Sequence, residues 1–138
     1  MSIEELYPLV TEAIRRAETL EDLRAPGARS AYLDVSMLEE RVAQTLPPSD
    51  PEGALARRGA VRAALAAKEL SRAQLLVERF IAESGVDSAL RADLLRLSEQ
   101  AESSAAARFP RVAASYGISA VQRLARAFVQ QGAPFPIG

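Results

Sequence analysis

Carboxylates are the side chains of this sequence best suited to acid–base or metal chemistry. Adjacent pairs occur at Glu4-Glu5, Glu21-Asp22 and Glu39-Glu40. Neighbouring residues on a helix diverge by about 100°, so carboxylates that share a site are expected three or four residues apart on one face. Glu18 has this spacing to Glu21 and Asp22, but the Glu-x-x-His element of a di-metal site is impossible without His. A solvated polar helix face is therefore the favoured interpretation of all these residues.

Two residue types that carry much enzyme chemistry are missing, because the chain contains no Cys and no His. The absence of Cys excludes disulfides, thiolate nucleophiles and Cys-ligated zinc. The absence of His removes the commonest general base and the Glu-x-x-His element of di-metal helical bundles. An enzyme would have to act with Asp, Glu, Arg, Tyr and Ser alone. We therefore expect a non-enzymatic protein with no catalytic residue, cofactor or metal ion.

The composition is that of a globular protein with a buried core. The chain has 138 residues, of which 49% are hydrophobic and 25% charged, and one domain is the default at this length. Apolar runs such as residues 63–67 are far shorter than the roughly 20 residues of a membrane-spanning helix. The N-terminal residues are acidic before they are apolar, the reverse of a secretory signal. We expect a cytoplasmic protein that does not bind membranes.

Helix-forming residues dominate almost every segment, and no segment alternates like a strand. The sequence predicts an all-α fold of five to seven helices, arranged as a compact bundle or as a stack of antiparallel helical hairpins. Residues 1–131 are expected to form a single helical domain, followed by an extended Pro-containing tail at 132–138. Gly59, inside the third helix, marks a weak point or a close approach by another helix.

Short polar residues mark the expected helix starts. Capping boxes predict three starts, at Ser2, Ser71 and Ser119. Asp50 before Pro51 predicts a fourth start, and Asp87 or Ser88 caps a fifth helix. Pro8 conflicts with the first start, so that helix either begins near Tyr7 or has a distorted first turn. Its core-facing stripe is expected to comprise Leu6, Leu9, Val10, Ala13, Ile14 and Ala17.

Residues 57–85 form a predicted hairpin in which small and large apolar residues have a distinctive spacing. Ala64 and Ala73 occupy the small positions, and Val77 and Phe80 the buried positions of the second helix. This pattern resembles a tetratricopeptide repeat, which implies a groove that binds peptides or proteins. The resemblance departs from the family at two points. Arg57 stands where the family has a bulky aromatic residue, and Gly85 where it has a proline.

Residues 112–119 have a small residue, then a Gly four positions later, followed by an apolar residue and Ser. This segment resembles the turn of a DNA-binding helix-turn-helix, with residues 108–131 as the implied interface. Its phosphate-contacting residues would be Arg108, Arg111, Arg123 and Arg126. Arg123 departs from the family because it occupies a position that is usually apolar. An ordinary Gly-containing turn between helices is the favoured alternative.

The C-terminal tail carries an apolar pair between and after its prolines. Phe135 and Ile137 lie in a segment that two prolines keep extended. Together with Phe128 of the last predicted helix, they are the candidate partner-binding residues. The tail has two other possible roles, covering the protein's own core or fraying at the terminus.

Charge is unevenly distributed along the chain. Residues 1–52 hold 11 acidic and 5 basic residues, whereas residues 103–138 hold four Arg and no acidic residue. Such asymmetry is typical of proteins that bind an anionic partner at one end, or of proteins whose two ends attract each other. Together, these features predict a helical protein–protein interaction module, namely an adaptor, a scaffold subunit or a homo-oligomer. The alternative is a nucleic-acid-binding protein that uses residues 108–131.

Overall fold

The computed structural model describes residues 1–108, and these fold into five α-helices without a strand. The all-α prediction is thereby confirmed. The predictions for residues 109–138 concern a segment outside the described residues. The helices are α1 (Ile3–Asp22), α2 (Ala28–Thr45), α3 (Pro51–Ala66), α4 (Leu70–Ile81) and α5 (Ser88–Arg108).

The helices pack mainly in chain order. Each helix lies against the next one, and α3 also lies against α5. Short connections make such neighbours antiparallel. Within residues 1–108, the backbone of α1 approaches that of α2 alone, and the hydroxyl of Tyr7 on α1 reaches the carboxylate of Glu52 on α3. The described helices therefore form an all-α bundle around one core to which all five contribute, with an open edge at α1.

Polar caps start three of the helices where the sequence predicts them. Ser2 Oγ accepts a hydrogen bond from the Glu5 amide at 3.4 Å, and Asp50 Oδ1 accepts one from the Glu52 amide at 2.8 Å. Asp87 Oδ1 accepts one from the Leu90 amide at 2.8 Å. The alternative start near Tyr7 is wrong, since α1 begins at Ile3 and includes Pro8. A proline at this depth removes one backbone donor but leaves the capped first turn intact.

The predicted capping box at Ser71 is wrong. Helix α4 begins at Leu70, and the preceding Glu69 makes no side-chain cap. The end of α3 explains this start, because Lys68 adopts a left-handed conformation (φ 62°) and the Glu69 amide donates to the Ala64 carbonyl at 2.9 Å. This tight C-terminal turn reverses the chain within three residues, so the next helix starts before Ser71.

Small residues in α3 and α4 allow close packing. Ala64 and Ala73 are fully buried, as the hairpin pattern predicts, and Val77 and Phe80 are buried with them. The prediction of a close approach at Gly59 is also confirmed. A Cβ atom at this position would lie 2.1 Å from Oε2 of Glu39, which crosses from α2.

Candidate partner-binding groove

The site residues predicted from the sequence lie at or beyond the end of the described chain. Arg108 is the last residue of α5, and nothing is described of its side chain. The other Arg candidates (Arg111, Arg123 and Arg126) and the apolar candidates (Phe128, Phe135 and Ile137) lie outside the described residues. These two sets therefore stay predictions. The groove between α1 and α2 was not predicted from the sequence.

A groove of about 440 Å³ runs between α1 and α2. Two Leu, two Ala and one Met contribute its apolar surface, and four charged residues line it as well. The lining residues are Leu9, Glu12, Ala13 and Arg16 of α1, with Ala31, Asp34, Met37, Leu38 and Arg41 of α2.

The turn between α1 and α2 fixes which residues face each other across the groove. Helix α1 ends at Asp22 and α2 begins at Ala28, so the centre of the turn is near residue 25. In an antiparallel hairpin, residues equally far from the turn lie at about the same height. Leu9 therefore lies level with Arg41, Ala13 with Met37, and Arg16 with Asp34. These positions span about 10 Å along α1, which is two helical turns.

Leu9 and Met37 are large apolar side chains that the fold leaves accessible at the groove. Leu9 is 43% exposed and Met37 is 51% exposed. The prediction that Leu9 and Ile14 face the core is wrong, because Leu6, Val10 and Ala17 take the buried stripe and leave both residues on its flanks. A single helix α2 covers one side of α1, and it is too narrow to bury a stripe that wide.

The charged residues of the groove are largely unpaired within residues 1–108. Glu12 accepts hydrogen bonds from Arg15, one turn along α1, at 2.6 Å. Arg16, Asp34 and Arg41 make no ion pair within that part of the chain. Their charged groups are therefore available to a molecule that enters the groove.

Arg57 is buried at the α2–α3–α4 junction. In the sequence it is notable only because it departs from the tetratricopeptide pattern. Its side chain is 2% exposed, and all five of its N–H donors have acceptors. Nε and Nη2 donate to the Glu83 carboxylate at 2.8 and 2.9 Å, Nη1 to the carbonyls of Leu46 and Gly53 at 3.0 and 2.9 Å, and Nη2 to the Ala43 carbonyl at 2.9 Å. Arg57 thus neutralises the C-terminal end of α2 and has a structural role.

A second polar cluster links α2 to α4 through side chains, although the backbones of these two helices are not in contact. Glu40 accepts hydrogen bonds from Arg72 at 2.7 Å and from Arg79. Burial alone would raise the pKa of Glu40, but the hydrogen bonds from the two guanidinium groups outweigh it and hold that pKa below its usual range. Arg72 Nε also donates to the buried Ser36 hydroxyl at 3.0 Å. The two guanidinium groups thus stabilise the charge of Glu40 within the fold.

Glu39 differs from Glu40 because it has no cation to stabilise its charge. The side chain is half-buried against Gly59 and makes no hydrogen bond or ion pair within the described residues. Burial raises the pKa of Glu39 to about 7. A lone carboxylate with a raised pKa resembles a general acid, but no second chemical group accompanies it here.

Two findings bear on the remaining sequence predictions. Residues 1–108 contain no group of three or more His, Cys, Asp or Glu placed to hold a metal ion. None of the five described helices is both long and apolar enough to cross a membrane. Among these residues, the α1–α2 groove combines accessible apolar surface with unpaired charge.

The chain was also compared with known proteins. No family model matches the sequence, and no curated protein or solved structure is significantly similar to it. The resemblance of residues 57–85 to a tetratricopeptide hairpin therefore stays a prediction, even though its small and apolar positions are buried.

Proposed function

We propose that this protein is a non-enzymatic helical protein–protein interaction module and that the surface of the α1–α2 groove packs against helices of its partner. The observation that carries the proposal is the exposure of Leu9 and Met37 in a groove with unpaired charges. Two antiparallel helices with an apolar groove between them provide the surface that a third, amphipathic helix buries.

The dimensions of the groove match two turns of a helix. Its length of about 10 Å accommodates apolar side chains at positions i, i+3 or i+4, and i+7 of the bound helix. Leu9 and Met37 are 43% and 51% exposed, so burial of the remaining surface would contribute about 1 kcal/mol for each side chain, roughly half the value for a fully exposed one. Arg16, Asp34 and Arg41 would then select a partner by the sign of its flanking charges.

The test is a pull-down of the tagged protein from its native lysate, performed with and without nuclease and read by mass spectrometry. A charged residue in the groove, introduced by Leu9→Glu or Met37→Glu, is expected to abolish recovery of the protein partner. Leu23→Glu is the matched control, because Leu23 is 71% exposed and lies outside the groove. A partner bound equally well by all three variants, each shown by circular dichroism to be folded, would exclude this groove.

Nucleic-acid binding through residues 108–131 is the second candidate function. It is supported by the charge of residues 103–138, which hold four Arg and no acidic residue. Binding of this kind weakens steeply with salt, and Arg123→Ala with Arg126→Ala would reduce both the affinity and its salt dependence. Loss of all captured partners after nuclease treatment would favour this candidate over the interaction module.

A further inference from the structure

We infer that the occupant of the groove is the α1–α2 hairpin of a second copy of this chain, so that two copies form a symmetric four-helix interface. The inference rests on the proposed function, since it uses the same groove. The charges and side-chain sizes of the groove and the open edge of the bundle at α1 support it.

Opposite charges lie level with each other at one end of the groove. Arg16 on α1 and Asp34 on α2 are equally far from the inter-helix turn, and within residues 1–108 neither makes an ion pair. A two-fold axis parallel to the helices places α1 of one copy over α2 of the other at the same height. Arg16 of each copy then lies over Asp34 of the other, so two reciprocal ion pairs form.

The apolar side chains are complementary under the same symmetry. Met37 lies level with Ala13, so each large Met side chain of one copy lies over a small Ala of the other. Alternation of large and small residues lets facing helices interdigitate. At the far end, the apolar stem of Arg41 covers Leu9 of the other copy, while its charged end reaches solvent.

The remainder of the described fold leaves this face open. Helix α2 contacts α3 through another face, where Ser36 Oγ donates to the Ala60 carbonyl at 2.7 Å. The backbone of α1 has no described neighbour besides α2. A second hairpin can therefore lie on the groove without displacing any of helices α3 to α5.

The test measures the mass of the 138-residue chain by multi-angle light scattering and sedimentation over a range of concentrations. The wild type is expected to have twice the 14.8 kDa mass of one chain. Arg16→Asp and Asp34→Arg each place like charges opposite each other, so each should weaken the dimer by about tenfold or more. Arg29→Asp and Glu99→Arg are the matched controls, because both residues are exposed and outside the groove.

The inferred symmetry also predicts how the two charge variants behave when they are mixed. An equimolar mixture of Arg16→Asp and Asp34→Arg chains should dimerise, because the acidic pair of one copy then faces the basic pair of the other. The double variant Arg16→Asp/Asp34→Arg should likewise regain the wild-type mass. A mixture that stays monomeric while the wild type dimerises would overturn the inferred symmetry.

A monomeric wild type at every concentration would overturn self-association. The proposed function fails separately, when no captured protein depends on Leu9 or Met37. A monomer that captures another protein through this groove therefore refutes the second copy as occupant and leaves the interaction module standing. Variants that lose the dimer are required to keep the wild-type circular dichroism spectrum, which separates a lost contact from a lost fold.

Discussion

The substitution Glu39→Gln should stabilise the protein above neutral pH and have little effect in acid. Glu39 is half-buried against Gly59 without a cation, and burial raises its pKa to about 7. In the unfolded chain the same carboxyl ionises near its usual value of 4.5. Between these two values the folded state binds more protons than the unfolded state, so stability decreases as the pH rises.

The magnitude follows from the distance between the two pKa values. The difference between about 7 and 4.5 corresponds to about 3 kcal/mol at most, because each pKa unit is worth about 1.4 kcal/mol. The side chain keeps part of its solvent exposure, which reduces the expected penalty to about 1–2 kcal/mol above pH 7. Gln has nearly the same shape as Glu and cannot ionise, so it removes this penalty without opening a cavity.

The assay is urea denaturation of both proteins at pH 4, 6 and 8, followed by circular dichroism. The gain in the free energy of unfolding for Glu39→Gln should be near zero at pH 4 and reach its full value at pH 8. Glu99→Gln, which changes an exposed carboxylate of α5, should show no such dependence. An equal difference between Glu39→Gln and the wild type at all three values of pH would refute the assignment of a buried, unpaired charge.

Two further substitutions test the packing around α3. Gly53→Ala should destabilise the fold by about 1–3 kcal/mol, since its Cβ would lie 2.1 Å from the Pro47 carbonyl oxygen; an unchanged melting temperature would contradict this. Arg57→Lys should cost about 2 kcal/mol or more in chemical denaturation, because an ammonium group has three donors for the five bonds of the guanidinium. Arg62 is exposed and provides the control, since Arg62→Lys should alter stability by less than about 0.5 kcal/mol. Equal effects of Arg57→Lys and Arg62→Lys would refute the proposed role of Arg57.

The helix starts were predictable from the sequence where the cap is local. Ser2, Asp50 and Asp87 each bond to an amide two or three residues ahead, so the pattern contains the whole interaction. Ser71 has an equally good pattern, but the C-terminal turn at Lys68 decides where α4 begins. A capping box is therefore informative only when the preceding chain leaves room for it.

The groove was not predictable, because helical periodicity shows which side of a helix is apolar but not where its neighbours end. Leu9 belongs to the apolar side of α1 by spacing, yet it remains 43% exposed because, within residues 1–108, α2 is the one helix whose backbone approaches α1. Arg57 is the opposite case, a charged residue that the fold buries. A charged residue in a helical pattern is usually assigned to the surface, and only the convergence of the Glu83 carboxylate with three carbonyl oxygens accounts for its burial.

The order in which the helices pack has a consequence for how the fold opens. An element at the edge of a bundle, with few packed neighbours, opens at a lower free energy than an element at its centre. Helix α1 is such an element, since its backbone is supported by α2 alone within the described chain. The amides of α1 should therefore exchange with deuterium at a lower free energy of opening than the amides of α3, which lies between α2, α4 and α5. A molecule bound over α1 and α2 would act as an end cap, slowing exchange there first.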